Sequence, residues 1–265
     1  MDLVNSVLNF VVPPASLVML ACAWPTFFGE DMEDKVVIST VASSGIGEQI
    51  AYEYAKRRTN LVLVARRENR LGGIRKKARQ LGAKHVLITA ADVVKEDDCR
   101  RFIAETVNFC GRVDHLVNTV SLGHTFYLEE ATETNLFAIL MDIYTFITYV
   151  CLPYVRQTRG RVVVNASVEN WLPLPRMNLY SAAKAAVINF YETLRLEVKD
   201  DVGITIATHG WVGTDITRGK FMMEEGADML WKEEREVRLS SLCGNEILCL
   251  FQHTAAFLET SMLSF

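Results

Sequence analysis

The stretch VVISTVASSGIGEQIAYEYAKR, Val36 to Arg57, decides the fold. Its first three residues are apolar and β-branched, and Thr40 is β-branched too, the pattern of a buried strand. From Gly45 onward, apolar and charged residues recur at helical spacing. Between them lies a turn carrying Ser43, Ser44, Gly45, Ile46 and Gly47, entered from Thr40. Glycines at a strand-to-helix turn let phosphate oxygens approach backbone N–H groups, and the helix N-terminus adds partial positive charge. A dinucleotide-holding turn is the functional reading. Glycine turns are common, so the turn alone is a weak signal. Val41 also stands where the first glycine of such a turn is expected.

Working outward, the same alternation repeats. KVVIST, NLVLVAR, KHVLITAADV, RVDHLVN, RVVVNAS and GITIAT read as six strands. GEQIAYEYAKRR, ENRLGGIRKKARQLG and EDDCRRFIAETVNFCG read as helices, the second weakened by Gly72 and Gly73. Apolar strands alternating with helices predict a doubly wound parallel sheet covered on both faces. Such a sheet binds ligands at the carboxyl ends of its strands. Arg66 and Arg67 end the second strand, where NAD sites carry an acidic residue for the ribose 2′-hydroxyl. Guanidinium groups there suit a 2′-phosphate, favouring NADP(H), although a solvated arginine pair would look the same. Asp92 is placed to accept from an adenine amine or to cap the following helix.

YSAAK puts Tyr180 and Lys184 one turn apart on a helix. A lysine ammonium near a phenol favours the phenolate, so Tyr180 could exchange a proton with a substrate hydroxyl or carbonyl. Ser167 ends the fifth strand, where its hydroxyl could hold the substrate oxygen. An isolated YxxxK occurs often as an exposed helix pair. Following a strand that ends in Ser167, it becomes specific.

The 265 residues suffice for one sizeable α/β domain. Half are hydrophobic and the formal net charge is -4, which gives no electrostatic reason for a nucleic-acid partner. Six cysteines form no CxxC pair and no zinc-ligand spacing with the five histidines, so reduced, buried thiols are expected and no metal. Between Asp2 and Glu30 no residue is charged. That run reaches the roughly 20 residues a spanning helix needs. Pro13 and Pro14 interrupt it, so two apolar arms dipping into a membrane or lipid droplet are expected. Spanning stays open. A cleaved signal peptide ending at ACA, Ala21 to Ala23, is the rival. The expected organisation is an anchor over 1–29, a nucleotide-binding domain over 30–238 and an atypical tail over 239–265.

From about Lys35 to Arg238 the chain resembles the short-chain dehydrogenase/reductase family, within the 11β-hydroxysteroid dehydrogenase-like branch that includes plant oil-body steroleosins. ASSGIGEQIAYEYAKR, NLVLVARRENRL, AADV, VDHLVN, NASVENWLPLPRMNLYSAAKAA and HGWVGTDITRGKF carry the resemblance. It implies a Rossmann-type sheet binding NADP(H) and hydride transfer to or from a sterol-like alcohol or ketone. It implies Ser167, Tyr180 and Lys184 as the catalytic trio, with Lys184 also holding the nicotinamide ribose. Asn118 would lie beside the adenine ribose, and Val212 and Thr214 would embrace the nicotinamide carboxamide. VVPPAS resembles the proline knob that inserts into oil bodies, implying a lipid-droplet or endoplasmic-reticulum location with the domain facing the cytosol. Family members are commonly dimers or tetramers.

Four departures from the family pattern stand in the sequence. Val41 replaces the first glycine, and NTVS (Asn118 to Ser121) replaces NNAG. MDIYTFITYVCLPYV lacks the relay asparagine: Tyr144 follows MDI, the segment is about one helical turn short, and Asn135 is the nearest candidate. After Arg238 the resemblance stops, which puts the last strand and part of the substrate pocket in question. A catalytically impaired lipid-droplet coat or binding protein that keeps the fold is therefore the alternative. The segment Arg218 to Glu236, rich in Met222, Met223, Met229, Leu230 and Trp231, reads equally as a cover for a flat apolar ligand and as an ordinary amphipathic helix.

Overall fold

The computed structural model describes residues 30–43, 45–120, 145–167, 170, 177–208, 212–213, 220–221, 230–231 and 238–239. The chain divides into two compact units, 1–31 with 252–265, and 32–251. Of the first unit only Glu30 and Asp31 are described. The expected anchor and most of the expected tail lie outside the described residues. Among the described residues, no helix is long and apolar enough to cross a membrane.

The second unit contains six parallel strands: β1 (Val36–Thr40), β2 (Asn60–Ala65), β3 (Val86–Ala90), β4 (His115–Asn118), β5 (Arg161–Asn165) and β6 (Gly203–Ala207). Their order is β3-β2-β1-β4-β5-β6. This is the doubly wound sheet expected from the alternation of apolar runs, and the Rossmann-type sheet that the resemblance implies. Five α-helices are described: α1 (Gly45–Lys56), α2 (Glu68–Leu81), α3 (Glu96–Cys110), α4 (Phe146–Gln157) and α5 (Asn178–Val198), the last running into a short 3-10 turn, Lys199–Asp201. α2 runs unbroken through Gly72 and Gly73. The strand order reverses between β1 and β4, the switch point at which a sheet of this kind has its ligand crevice.

Strand alternation sorts the core into two layers. Val36, Ile38, Val62, Val64, Leu116, Val162, Val164 and Ile204 form one cluster with residues of α3, α4 and α5. Val37, Leu61, Leu63, Val117, Val163 and Ala207 form the other with residues of α1 and α2. Each fully buried aliphatic side chain contributes about 1.5–3 kcal/mol, so this two-sided burial is the main source of stability.

Polar groups fix the strand ends. Asp114 is buried, accepts the Val36 N–H at 2.8 Å and pairs with Arg112. At the other end of β1, the Thr40 hydroxyl lies 3.2 Å from the Val117 carbonyl, and the Thr119 N–H donates to it at 3.1 Å. The Thr119 hydroxyl donates in turn to the Thr40 carbonyl at 2.5 Å. These bonds clasp β1 to β4 at the crevice floor.

Beyond β6 the described backbone forms two small sheets. Val212–Gly213 pairs in parallel with Arg238–Leu239, and Lys220–Phe221 pairs antiparallel with Leu230–Trp231. The helical reading of Arg218 to Glu236 is thus corrected at both of its described pieces. Phe221 and Trp231 are residues that favour extended backbone, and cross-strand pairing supplies hydrogen bonds in place of those of a helix.

Candidate active site

The turn after β1 carries an unusual backbone. Val41 adopts φ +49° and Gly45 φ +57°, both in the left-handed region. Glycine enters that region freely, whereas a β-branched residue is strained there. Val41 is half-buried and packs on the cluster beneath α3 to α5. Gly47 shows why the turn needs glycine. A β-carbon there would lie 2.6 Å from the Val41 carbonyl oxygen and 2.9 Å from Thr119 Oγ1. The turn therefore packs directly onto the end of β4, and the start of α1 faces the crevice. Ile46 is buried in the α1–α2 cluster, which leaves its main chain as the part able to meet a phosphate. Ser44 lies outside the described residues.

The Arg67 guanidinium donates to Ser43 Oγ at 3.2 Å, tying the end of β2 to the turn. Arg66 is exposed beside it. The two arginines and Ser43 thus form a cationic corner at one end of the crevice. Asp92, half-buried after β3, accepts the Val94 N–H at 3.2 Å, a local turn in which the side chain holds its own backbone. Thr40 is fully buried with its hydroxyl engaged in the β1–β4 clasp. Asn118 is likewise buried, its Oδ1 facing the Thr40 hydroxyl at 3.4 Å and the Val120 N–H at 3.3 Å.

At the other end of the crevice stand Ser167, Tyr180 and Lys184. Ser167 is buried, two residues beyond the end of β5. Tyr180 is half-exposed in the first turn of α5. Lys184, one turn on, is completely buried. A buried ammonium is costly unless its protons are hydrogen-bonded. Here Nζ donates to the Asn165 carbonyl at 2.8 Å and faces the Val120 carbonyl at 3.5 Å. It also lies 5.7 Å from the Tyr180 ring centroid, within the range of a cation–π attraction. The ends of β4 and β5 therefore hold one positive charge beside one phenol.

Beneath this group runs a polar network that motif reading missed. Tyr191, fully buried on α5, lies 2.6 Å from Thr148 Oγ1 on α4, and Asn118 Nδ2 faces its hydroxyl at 3.5 Å. Burial pushes the Tyr191 phenol up to about 12. Tyr191 follows Lys184 by two helical turns on the same face, so helical spacing was the signal that could have found it. Tyr144, Asn135 and Thr214 lie outside the described residues, and Val212 is described only as backbone.

Residues 35–225 match the short chain dehydrogenase family. The chain belongs to that family and is an oxidoreductase. "11-beta-hydroxysteroid dehydrogenase B" of Sesamum indicum is 68% identical over 258 residues, covering 91% of this chain and 71% of that protein. Its namesake in Arachis hypogaea is 64% identical over 256 residues, covering 90% and 72%. "11-beta-hydroxysteroid dehydrogenase-like 5" of Arabidopsis thaliana is 65% identical over 254 residues, covering 89% and 65%. The chain thus lies in the 11β-hydroxysteroid dehydrogenase-like branch. Among solved structures, an alcohol dehydrogenase from the archaeon Thermococcus sibiricus, complexed with 5-hydroxy-NADP, superposes with a TM-score of 0.71. It is 25% identical, over 83% of this chain and 91% of that one. L-Sorbose reductase from Gluconobacter frateurii, complexed with NADPH and L-sorbose, gives 0.71 at 26% identity over 83% and 90%.

Proposed function

We propose that this oxidoreductase uses NADP(H) and exchanges a hydride with a hydroxysteroid or sterol-like alcohol or ketone at a membrane or lipid-droplet surface. The observation that carries the reading is the buried Lys184 ammonium, held by the Asn165 carbonyl and standing one turn from Tyr180 beside Ser167. Bound NADP(H) supplies the hydride and accepts it in the reverse direction. The protein does the rest. The Lys184 charge favours the Tyr180 phenolate, which takes a proton from the substrate alcohol or, as phenol, returns one to the ketone oxygen. Ser167 holds that oxygen in place by a hydrogen bond. Gly45 and Gly47 open the turn to a pyrophosphate, with Ser44 at its centre, and Arg66, Arg67 and Ser43 suit a 2′-phosphate. Asp92 and Asn118 flank the adenosine half; Val212 and Thr214 belong to the nicotinamide half. The nucleotides bound by the Thermococcus and Gluconobacter enzymes and the names of the plant relatives support this reading. The apolar 1–29 segment, with Pro13 and Pro14, supports the lipid surface, and a homo-oligomer fits the exposed Phe109 and Tyr149.

A second reading, a lipid-droplet binding or coat protein with impaired catalysis, is favoured by one observation: Val41 in a left-handed backbone at the phosphate turn. Titration of the full chain in detergent with NADPH, followed by turnover of a sterol ketone, separates the two. The enzyme reading requires saturable binding and turnover that Tyr180→Phe abolishes without loss of binding. No saturable binding sinks it; binding with turnover absent and indifferent to Tyr180→Phe favours the second reading.

A further inference from the structure

The end of β5 holds a side chain that no step above uses. Val162 and Val164 belong to the cluster beneath α3 to α5, whereas Val163 belongs to the opposite cluster, with α1 and the glycine turn. Alternation places Asn165 on the face of Val163. Its register partner on β6, Ala207, belongs to that same cluster, as do Ala42 and Ile46 of the turn. Asn165 is only 6% exposed, and its Oδ1 is buried with no hydrogen-bond partner. A native buried amide oxygen left in that state calls for an occupant, because burial has removed its water without replacement.

Position narrows the occupant. The main-chain carbonyl of Asn165 receives the Lys184 ammonium at 2.8 Å, and Ser167 follows two residues later. The carboxamide thus stands at the carboxyl end of β5, on the sheet face that carries the phosphate turn's cluster, at the strand end that holds the proton-handling groups. On the NADP(H) reading the reacting ring lies within reach of those groups, because hydride and proton go to the same substrate. A carboxamide offers an acceptor oxygen and two N–H donors in one plane. Its natural complement is a second carboxamide.

Building on the NADP(H) reading, we propose that Asn165 recognises the nicotinamide end of the cofactor, its side-chain oxygen accepting an N–H from the ring's own carboxamide. Asn165 is then a cofactor-selecting residue supplied by a strand, additional to the groups expected after β6.

The test uses the full chain and two nucleotides, NADPH and 2′-phospho-ADP-ribose, which lacks the nicotinamide. Asn165→Val supplies a strand-favouring side chain and removes both polar ends. The expected result is an NADPH Kd about tenfold weaker (about 1.4 kcal/mol) with the Kd of 2′-phospho-ADP-ribose unchanged. The thermal midpoint of the unliganded variant should be equal or higher, since an unpaired buried group has gone. Asn165→Thr, which retains a hydroxyl, should lose less NADPH affinity and serves if the valine variant does not fold. Equal weakening of both nucleotides overturns the assignment and makes Asn165 a structural residue or the holder of a buried water. Unchanged affinity for both overturns it as well. A wild-type protein that binds neither nucleotide overturns the NADP(H) reading and this assignment with it.

Discussion

Replacing Val41 by glycine tests how far the phosphate turn is compromised. At φ +49°, Val41 holds a backbone that costs a residue with a β-carbon about 1–2 kcal/mol. Val41→Gly removes that cost. Against it, glycine gives up about 0.5–1 kcal/mol of additional chain entropy on folding. The half-buried isopropyl group also packs on the core, and half the 1.5–3 kcal/mol of a fully buried side chain is about 1 kcal/mol. The terms nearly cancel, so the unliganded thermal midpoint should shift by no more than about 4 °C in either direction. On the proposed NADP(H) reading, nucleotide affinity has no such cancellation, because the deletion removes bulk beside the place proposed for the pyrophosphate. NADPH binding followed by fluorescence should tighten about tenfold, or 1.4 kcal/mol. Val41→Ala is the control. It loses the same packing and keeps the left-handed cost, so it should melt below Val41→Gly and tighten NADPH less. An alanine variant more stable than the glycine variant by the about 0.5–1 kcal/mol of glycine's chain entropy would refute the strain, and a glycine variant with unchanged NADPH affinity would refute the idea that this turn limits cofactor grip.

Arg67→Ala should weaken NADPH by about ten- to a hundredfold, the loss of one charge-assisted contact, while NADH binding stays as it was. Gly72→Ala and Gly73→Ala should each stabilise the protein by about 0.5–1 kcal/mol in urea titrations, since a β-carbon at either site meets nothing within 4 Å. Stability should also fall in alkali. Burial pushes Cys99 from 9.0 to about 11, Cys151 from 9.0 to about 12 and Tyr191 from 10.0 to about 12. The folded state therefore keeps protons that the unfolded chain releases above about pH 9. This contribution is whole below pH 9 and is lost as pH rises toward 12, so the urea midpoint at pH 10.5 should lie below that at pH 8. An unchanged midpoint would mean these groups are hydrated in the folded state.

All six strands of the large sheet were legible, because a strand buried on both faces must be apolar throughout, and VVIST, NLVLVA and RVVVN announce that directly. α2 was legible despite its paired glycines, since Leu71, Ile74 and Ala78 keep helical spacing and are buried. Ser167, Tyr180 and Lys184 could be named because their chemistry is tied to strand end and helix turn. Other features depend on three-dimensional pairing that no local pattern encodes. The Thr40–Thr119 clasp joins residues 79 apart, and the Ser43–Arg67 bond residues 24 apart. Asn165 carried one faint signal, a polar residue closing a run of valines, and its meaning came only from the face it shares with Val163. The extended backbone at Leu230–Trp231 was hidden because Met229, Leu230 and Trp231 form one apolar block before the charged run Lys232 to Glu236, which shows no strand alternation.

The clasp between β1 and β4 has a consequence for selectivity. Two parallel strands that part company at a crevice are free to splay, and a slot of fluctuating width accepts nucleotides of many shapes at similar, modest affinity. With Thr40 and Thr119 bonded to each other, the two strand ends are held at one spacing before anything enters between them. A ligand that fits meets no ordering cost, and one that does not fit finds no compliance. Cutting the clasp would show first as tolerance of the wrong nucleotide, ahead of any weakening toward the right one.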